Sequence, residues 1–469
     1  MPGTDLNYLS AIEVRDLYRS RELSPVEFLE SVIQRADEID ETVNPFADKY
    51  FNEAQIRAKK SEERYIKGSA RRLEGVPLLI KDSSAVKGIR ATAGSLRNAT
   101  KIDQHTDPSV ERLMRAGANF FARSTCPEFC WLFACHSRMW GVTRNPWRLD
   151  ITPGGSSGGS AAALAAGATT IATGGDGTGS IRQPAAQCGI VGYKSPYGRN
   201  PLDRYSSFDT YLNVGPMTRS VADAALMQNI MSGPHPLDHN TLQNKINIPQ
   251  ELGDVRGLRI AYSIDLGHYI VHDDVRRETI ETLSTLQDAG AEITEIKIDW
   301  ASEAIKLAHF SAEFLFAGVV RKALDDHAEK MSDYVPQLYE TASSVTEEDY
   351  RRSLVIAGEL WHDHIGPLFK RYNALITPGV SFPEVPATNW QKDKILVNDE
   401  EITDTDTAMT ALFNMFNRCP VLSVPAGMTD DGLPVGIQIV GRPYDDVTTF
   451  QIGQAIEKHR PWSSRRPCI

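Results

Sequence analysis

Between residues 154 and 160 the chain reads "GGSSGGS", and it runs on without a break into "AAALAAGATTIATGG". No other stretch restricts the fold as much. A flexible Gly/Ser linker would open onto another polar segment. Here a small-residue apolar run follows, which predicts a buried helix and then a buried strand, so the turn belongs inside the core. A phosphate-binding loop needs G-x-x-x-x-G-K-[ST], and no Lys follows Gly159. The later "GDGTG" at 175–179 has the glycines of a dinucleotide loop, without the strand-loop-helix unit and the acidic residue beyond it that give such a loop its meaning. Gly154, Ser156 and Gly158 do satisfy G-x-S-x-G, the nucleophile elbow of α/β-hydrolases. On that reading Ser156 is the nucleophile of an esterase and needs a His base, for which no histidine here has a distinctive context.

The rest of the sequence alternates helix and strand patterns. The first 70 residues read as helices; in "SPVEFLESVIQRADEID", Ser24 suits the N-cap and Pro25 the first helical position. "GVPLLIKDSS", from Gly75, is a short apolar run between turn formers and reads as a buried strand ending at Lys81. Residues 107–125 and 275–299 each read as helix, glycine turn, strand, and 258–265 and 373–383 as strands. "VLSVPAGMTDDGLPVGIQIVG" reads as a hairpin around Asp-Gly. Such alternation predicts an α/β fold with a large central sheet, largely parallel or mixed, covered by helices on both faces. No Pro- or Ser-rich linker divides the chain. One domain over 1–469 is expected, with N-terminal helices over 1–70, a core over 71–220 and a helical peripheral cap over 300–372. The polar stretch 389–407 reads as a surface loop.

Composition narrows the function by exclusion. A net charge of −11 with no basic cluster argues against nucleic acid as the main partner, and "KGSARR" at 67–72 reads as a solvated face. The N-terminus lacks the basic-then-apolar order of a signal peptide, and no apolar run is long enough to span a bilayer. Six irregularly spaced cysteines fit a reduced, cytoplasmic setting. Cys126 and Cys130 could share a helix face as metal ligands, but local packing is preferred because no His pair accompanies them. "HDH" at 362–364 and Cys188 fare no better as functional groups. No metal and no cofactor are expected.

A second unusual segment, "GGDGTGSIRQPAAQCGIVGYKSPYGR", begins at Gly174. Ser180 follows the small residues Gly177, Thr178 and Gly179, which let backbone N–H groups approach a reacting atom closely. Such donors can form an oxyanion hole, each worth roughly 3 kcal/mol. Ser180 needs a base, and Lys81 ends a buried strand, where an amine must be paired, hydrogen-bonded or neutral.

This combination resembles the amidase signature family. "GVPLLIKD" is similar to its lysine strand, "NPWRLDITPGGSSGGSAAALAAG" to its Gly/Ser core, and "GSIRQPAAQCGIVGYKSPYGR" to the segment carrying its nucleophile. "VGPMTRSVADAALM", "NALITP" and "FNMFNRCPVLSVPAGMTDDGLPVGIQIVGRP" extend the likeness across about residues 8–459. The resemblance implies a Ser-cisSer-Lys triad. Ser180 is then the nucleophile, Lys81 the base, and Ser156 the bridging serine, joined to the next residue by a cis peptide bond. The oxyanion hole would use the backbone N–H groups of Gly177, Thr178, Gly179 and Ser180, with Ser157, Ser160, Asp176 and Arg182 in support. Thr178 departs from the family's usual glycine, and a threonine resists positive φ. The Asp-Gly-x-Gly-Ser form is similar to that of a branch acting on aryl amides, hydrazides and cyclic oligomers.

The activity so implied is hydrolysis of a carboxylic amide, or a related C–N bond such as an anilide, cyclic amide or hydrazide, through an acyl-enzyme. The substrate would be a small molecule, with a homodimer the one assembly considered. Phe129, Trp131, Phe133 and Trp140 could line an aryl site or serve as core. An alternative is the glutaminase-type subunit of an amidotransferase complex, although "YLNVGPMTRSVADAALM" looks more like stand-alone amidases.

Overall fold

The computed structural model describes residues 6–388, 395–403 and 405–469. Its centre is a sheet of eleven strands. In chain order these are β1 (Phe46–Lys49), β2 (Pro77–Lys81), β3 (Asn119–Ser124), β4 (Ile171–Asp176), β5 (Val191–Lys194), β6 (Asn213–Thr218), β7 (Arg259–Tyr262), β8 (Glu292–Glu295), β9 (Ala374–Pro378), β10 (Val421–Met428) and β11 (Pro434–Gly441). In space they run β1-β3-β2-β4-β6-β5-β10-β11-β9-β7-β8. The β3-β2-β4 and β9-β7-β8 groups are parallel, and the strands between them are antiparallel. The sheet is therefore mixed. β2, β3 and β9 are buried along their whole length, as apolar runs without alternation require when both faces are covered.

Local chemistry sets the element ends. Ser24 accepts from Val26 N and forms a capping box with Glu27, starting the helix Pro25–Val43. Helix, glycine turn and strand recur at Pro108–Arg115, Gly117 and β3, and at Asp273–Asp288, Gly290 and β8. β10 and β11 form the expected hairpin, with Gly432 at φ 78° in its turn. The Ala-rich helix Gly158–Ala165 is buried on every side. A β-carbon at Gly159 would run into Thr125, so the small residues set how close this helix comes to β3.

Two expectations need correction. The first 70 residues are not all helical, because Phe46–Lys49 pairs antiparallel with β3 at the sheet edge; a four-residue strand is too short to carry a period of its own. The polar stretch 389–407 is not only loop. Ile395–Val397 and Glu400–Ile402 pair as a hairpin. Asn398 and Asp399 both have positive φ, the backbone a two-residue hairpin turn demands. Residues 389–394 and 404 of that stretch, and 1–5 of the N-terminal one, lie outside the described residues. The region 300–372 is helical, built from Ala301–His327, Tyr334–Ser343, Glu347–Leu360 and Gly366–Arg371.

Candidate active site

Lys81 closes β2 with its side chain buried, 1% exposed. Its amine donates to Ser156 Oγ at 2.7 Å and Ser157 Oγ at 3.0 Å, and lies 3.5 Å from the carbonyl of Gly175. No carboxylate is among its hydrogen-bond partners in the described residues. The neighbouring Asp82 turns the other way, accepting from Thr92 N, Gly94 N and Trp140 Nε1. Among the described residues the hydrogen-bond partners of this buried amine are hydroxyl and carbonyl oxygens. Ser157 Oγ also spans Gly175 N and O, so the Gly/Ser turn is fastened to the end of β4.

The turn contains a cis peptide bond between Gly155 and Ser156. It precedes Ser156, whereas the sequence reading placed it after. Gly155 lies against the carbonyls of Leu132 and Ala134, where a β-carbon would collide. Ser160 bonds Ser124 Oγ at 2.7 Å and the Thr173 carbonyl at 2.9 Å, tying the helix Gly158–Ala165 to β3 and β4.

Ser180 stands at the end of the loop after β4, 7% exposed. Its carbonyl accepts from Ser157 N at 3.1 Å, which brings it beside the Gly/Ser turn. Its hydroxyl has no hydrogen-bond partner among the described residues. The structure therefore forms the Lys81–Ser156 link, and the Ser156–Ser180 link is not made.

One of the four expected oxyanion donors is not available. Gly179 N donates to Asp176 Oδ1 at 2.8 Å. The amides of Gly177, Thr178 and Ser180 are not tied to any described residue. The Thr178 departure is accommodated because positive φ falls on Gly179, at 134°, and not on Thr178. Thr410 Oγ1 donates to the Thr178 carbonyl at 2.7 Å and fixes the loop from outside.

Below the loop, Arg182 and Asp176 form a fully buried two-pronged pair, Nε to Oδ2 at 2.9 Å and Nη2 to Oδ1 at 3.0 Å. Burial pushes the Asp176 carboxyl up, but the charge and hydrogen bonds of Arg182, with Asn414, outweigh it and hold it at about 2. Arg182 also donates to the Thr410 carbonyl at 2.9 Å, Gln438 Oε1 at 2.9 Å and Asn414 Oδ1 at 2.5 Å. Thr410, Asn414 and Gln438 were missed in the sequence. Nothing near residue 180 signals partners that lie more than 220 residues away. A second buried lysine, Lys194, is brought down to about 7 by burial, then by Arg182. It donates to Asn417 Oδ1 at 2.7 Å and the Cys419 carbonyl at 3.1 Å, so it holds loops and meets no serine.

The expected aromatics divide. Trp131 packs on Phe316 of the cap, ring centroids 4.4 Å apart, and Phe133 meets His309 edge-on at 6.2 Å. Phe129 joins the same apolar cluster. Trp140 instead serves Asp82 and Thr92 through its Nε1. His309 is lowered to about 4 by burial and is a neutral wall residue. His362 and Asp363 bond each other on the surface, and His364 stacks on Trp300. Among the described residues no cluster of three His, Cys, Asp or Glu could hold a metal, and no helix is long and apolar enough to cross a membrane.

A lysine amine on a serine hydroxyl, beside a second serine on a loop with three unengaged amides, can supply a base, a nucleophile and donors for an oxyanion. Residues 27–450 match the Amidase family model, and the chain belongs to that family. It is 32% identical over 483 residues to an acylamidase of Rhodococcus erythropolis, covering 100% of this chain and 98% of that one. It is 31% identical over 496 residues to a subunit of the glutamyl-tRNA(Gln) amidotransferase of Chloroflexus aggregans, covering 99% of each. Its fold superposes with a TM-score of 0.89 on a bacterial aryl acylamidase of the amidase signature enzymes, 26% identical, with 98% of each chain covered. The mixed sheet with its helical layers is the amidase signature fold, and the chain is an amide-hydrolysing enzyme.

Proposed function

We propose that this chain is a stand-alone serine amidase whose nucleophile is Ser180, with Lys81 as base and Ser156 between them. The 2.7 Å bond from the buried Lys81 amine to Ser156 Oγ carries this reading. The amine takes a proton from Ser156, which takes one from Ser180, and Ser180 Oγ attacks the amide carbonyl. The N–H groups of Gly177, Thr178 and Ser180 receive the developing oxyanion. The proton returns through Ser156 to the leaving nitrogen, which would otherwise depart as a very poor leaving group, and water then hydrolyses the acyl-enzyme. Asp176, Arg182 and Ser157 hold the loop and the turn in place.

The elbow alternative, Ser156 as nucleophile with a His base, is not supported, because the partner of Ser156 is an amine where that reading needs an imidazole. For substrate we infer a small carboxylic amide with an aryl or apolar part, because Phe129 and Trp131 share an apolar cluster with Phe316 of the cap, and Phe133 meets the cap at His309. The likeness to an acylamidase agrees with this. The likeness to amidotransferase subunits favours one second reading, an ammonia-producing subunit of a larger complex.

Lys81→Ala and Ser180→Ala should each lower anilide turnover by at least ~10³-fold while the circular dichroism spectrum is unchanged. A fluorophosphonate should label Ser180, and labelling at Ser156 would reverse the assignment. Turnover of anilides by the purified chain supports the stand-alone reading; glutamine hydrolysis seen only with partner chains would support the other.

A further inference from the structure

Two cations of the segment "KGSARR" are neutralised by acids. Lys67 pairs with Glu63 at 3.3 Å, and Arg71 with the buried Glu74, Nε to Oε2 at 2.5 Å. Arg72 has no hydrogen bond or ion pair among the described residues. It lines an open cleft of about 360 Å³ together with Arg112, Arg115 and Lys245. Three distant parts of the chain thus bring four cations to one place. No acidic side chain and no residue of the relay lines the cleft with them. Arg115 pairs with Glu111 at 2.8 Å. Arg112 Nη1 donates to the carbonyls of Met231 at 2.7 Å and Gly233 at 2.9 Å, and its Nη2 to that of Pro234 at 2.6 Å. Those carbonyls fix the guanidinium in place but carry no formal charge to offset it. Lys245 has no hydrogen bond or ion pair among the described residues. Its stem lies over Gly233, where a β-carbon would stand 3.1 Å from Cδ. Burial, then the charges of Arg112 and Arg72, push its amine below the ordinary lysine range. Arg72, Arg112 and Lys245 therefore share one cleft without a carboxylate, in a chain of net charge −11. Ser232 lines the same cleft. It is 1% exposed, and its hydroxyl oxygen is buried with no hydrogen-bond partner among the described residues.

We propose that this cleft is a binding site for an oligophosphate, a ligand of two or more linked phosphate groups, held by Arg72, Arg112, Lys245 and the Ser232 hydroxyl. Helix C-termini also attract cations. That accounts for Arg112, whose donors reach the end of the helix Val221–Met231, and for Arg115, which ends the helix Pro108–Arg115. It leaves Arg72 and Lys245 without a reason to stand beside them. Like charges gathered in one concavity repel each other and raise the local concentration of an anion. A buried hydroxyl without a partner is costly, and a phosphate oxygen accepts its proton.

Charge and shape select the ligand class. One phosphate group carries about −1.5 to −2 at neutral pH, too little for three cations, whereas two or more linked groups match them. A carboxylate is planar and fills one guanidinium fork; phosphate oxygens point in several directions and suit cations that converge from separate elements. Arg112 is already oriented by its three carbonyls, so little of its freedom is lost when the ligand arrives. This site rests on no part of the relay proposed above.

The test is isothermal titration calorimetry of the full-length protein at 0.15 M salt, with inorganic tripolyphosphate, ATP and citrate as probes. Tripolyphosphate and ATP should each bind with a Kd below ~1 mM. Citrate should bind at least ~10-fold more weakly. Similar affinities for the two phosphates place recognition in the phosphate chain alone; tighter ATP binding adds the nucleoside, and either result supports the site. Arg72→Met and Lys245→Met keep an apolar stem and lose the charge. Each should weaken tripolyphosphate ~10-fold, and the double variant ~100-fold. Ser232→Ala should weaken it ~5-fold. Without ligand, Lys245→Met should melt no lower than the parent, because it relieves repulsion. No binding of either phosphate at ~1 mM, binding that survives the double variant, equal affinity for citrate, or a lower Tm for unliganded Lys245→Met would each overturn the proposal.

Discussion

At Gly179 one missing side chain decides the shape of the loop before Ser180. A β-carbon there would collide with Thr410 Oγ1, and φ of 134° is a conformation that side chains resist. Thr178 escapes that demand, which is why a threonine is tolerated in a loop otherwise made of glycine. We expect Gly179→Ala to lower kcat by ~10²-fold or more, read in steady-state kinetics, because the amides around Ser180 lose their aim. Thr410→Val removes only the hydroxyl bond to the Thr178 carbonyl, worth about 1 kcal/mol, and should slow turnover ~5-fold. Equal effects from the two changes would contradict this account. The residues of the proposed relay stand out in the sequence because each sits in a distinctive local context: Lys81 at the end of an apolar run, Ser156 among glycines, Ser180 after small residues. The engagement of Gly179 N by Asp176 was not legible, since it depends on which way one carboxylate turns within three residues.

The turn between β3 and the cap is an element held by one buried carboxylate. Glu128 accepts from Ser95 Oγ and Ser332 N, and its own N–H donates to Tyr334 Oη at 2.7 Å. The Tyr334 hydroxyl in turn donates to the His136 carbonyl at 3.0 Å. The aromatic wall therefore moves with the cap. Glu128→Ala leaves two donors buried without an acceptor and should lower stability by ~2–4 kcal/mol in urea unfolding. KM for an anilide should rise more than kcat falls, and a fall in kcat alone would show that the wall does not bind substrate. At this scale the sequence was informative wherever a period or a cap existed, as at Ser24 and at the hairpin of β10 and β11. It was silent at Phe46–Lys49 and at 395–402, where short strands are defined by their partners and by two left-handed turn residues.

Across the whole molecule the N-terminal and C-terminal helices meet at a seam that contains a buried carboxyl, Asp223, and a half-buried one, Glu457. Asp223 accepts from Ala11 N at 2.8 Å and Ile12 N at 3.1 Å, and Glu457 accepts from Val221 N at 3.1 Å. Burial raises Asp223 to about 6, and burial together with Asp223 raises Glu457 to about 7. Both groups hold protons in the folded state that the unfolded chain has already lost. Their contribution is thus greatest at low pH and declines as pH rises from the ordinary carboxyl value, 4.5 for Glu457, through about 7. Glu457→Gln keeps an acceptor for Val221 N and removes that titration. Its Tm should fall less steeply across this window and exceed that of the parent at pH 8, where its unfolding free energy should be higher by about 1–3 kcal/mol. Parallel Tm profiles for the two proteins would refute the assignment. None of this seam could be read from sequence, where Asp223 and Glu457 look like ordinary members of polar helix faces.

The grip of Arg182 on Thr410, Asn414 and Gln438 also acts in time. Lys81, Ser156 and Ser180 all leave the ribosome early, yet the loop that carries Ser180 is fixed by side chains made about 250 residues later, roughly 10–50 s at ~5–20 residues per second. A newborn chain therefore carries Ser180, the proposed nucleophile, well before its loop is fixed. Stalled nascent chains ending near residue 400 should resist the fluorophosphonate label that full-length chains accept. On the proposed mechanism, synthesis itself acts as a delay, withholding amide cleavage until the molecule is nearly complete.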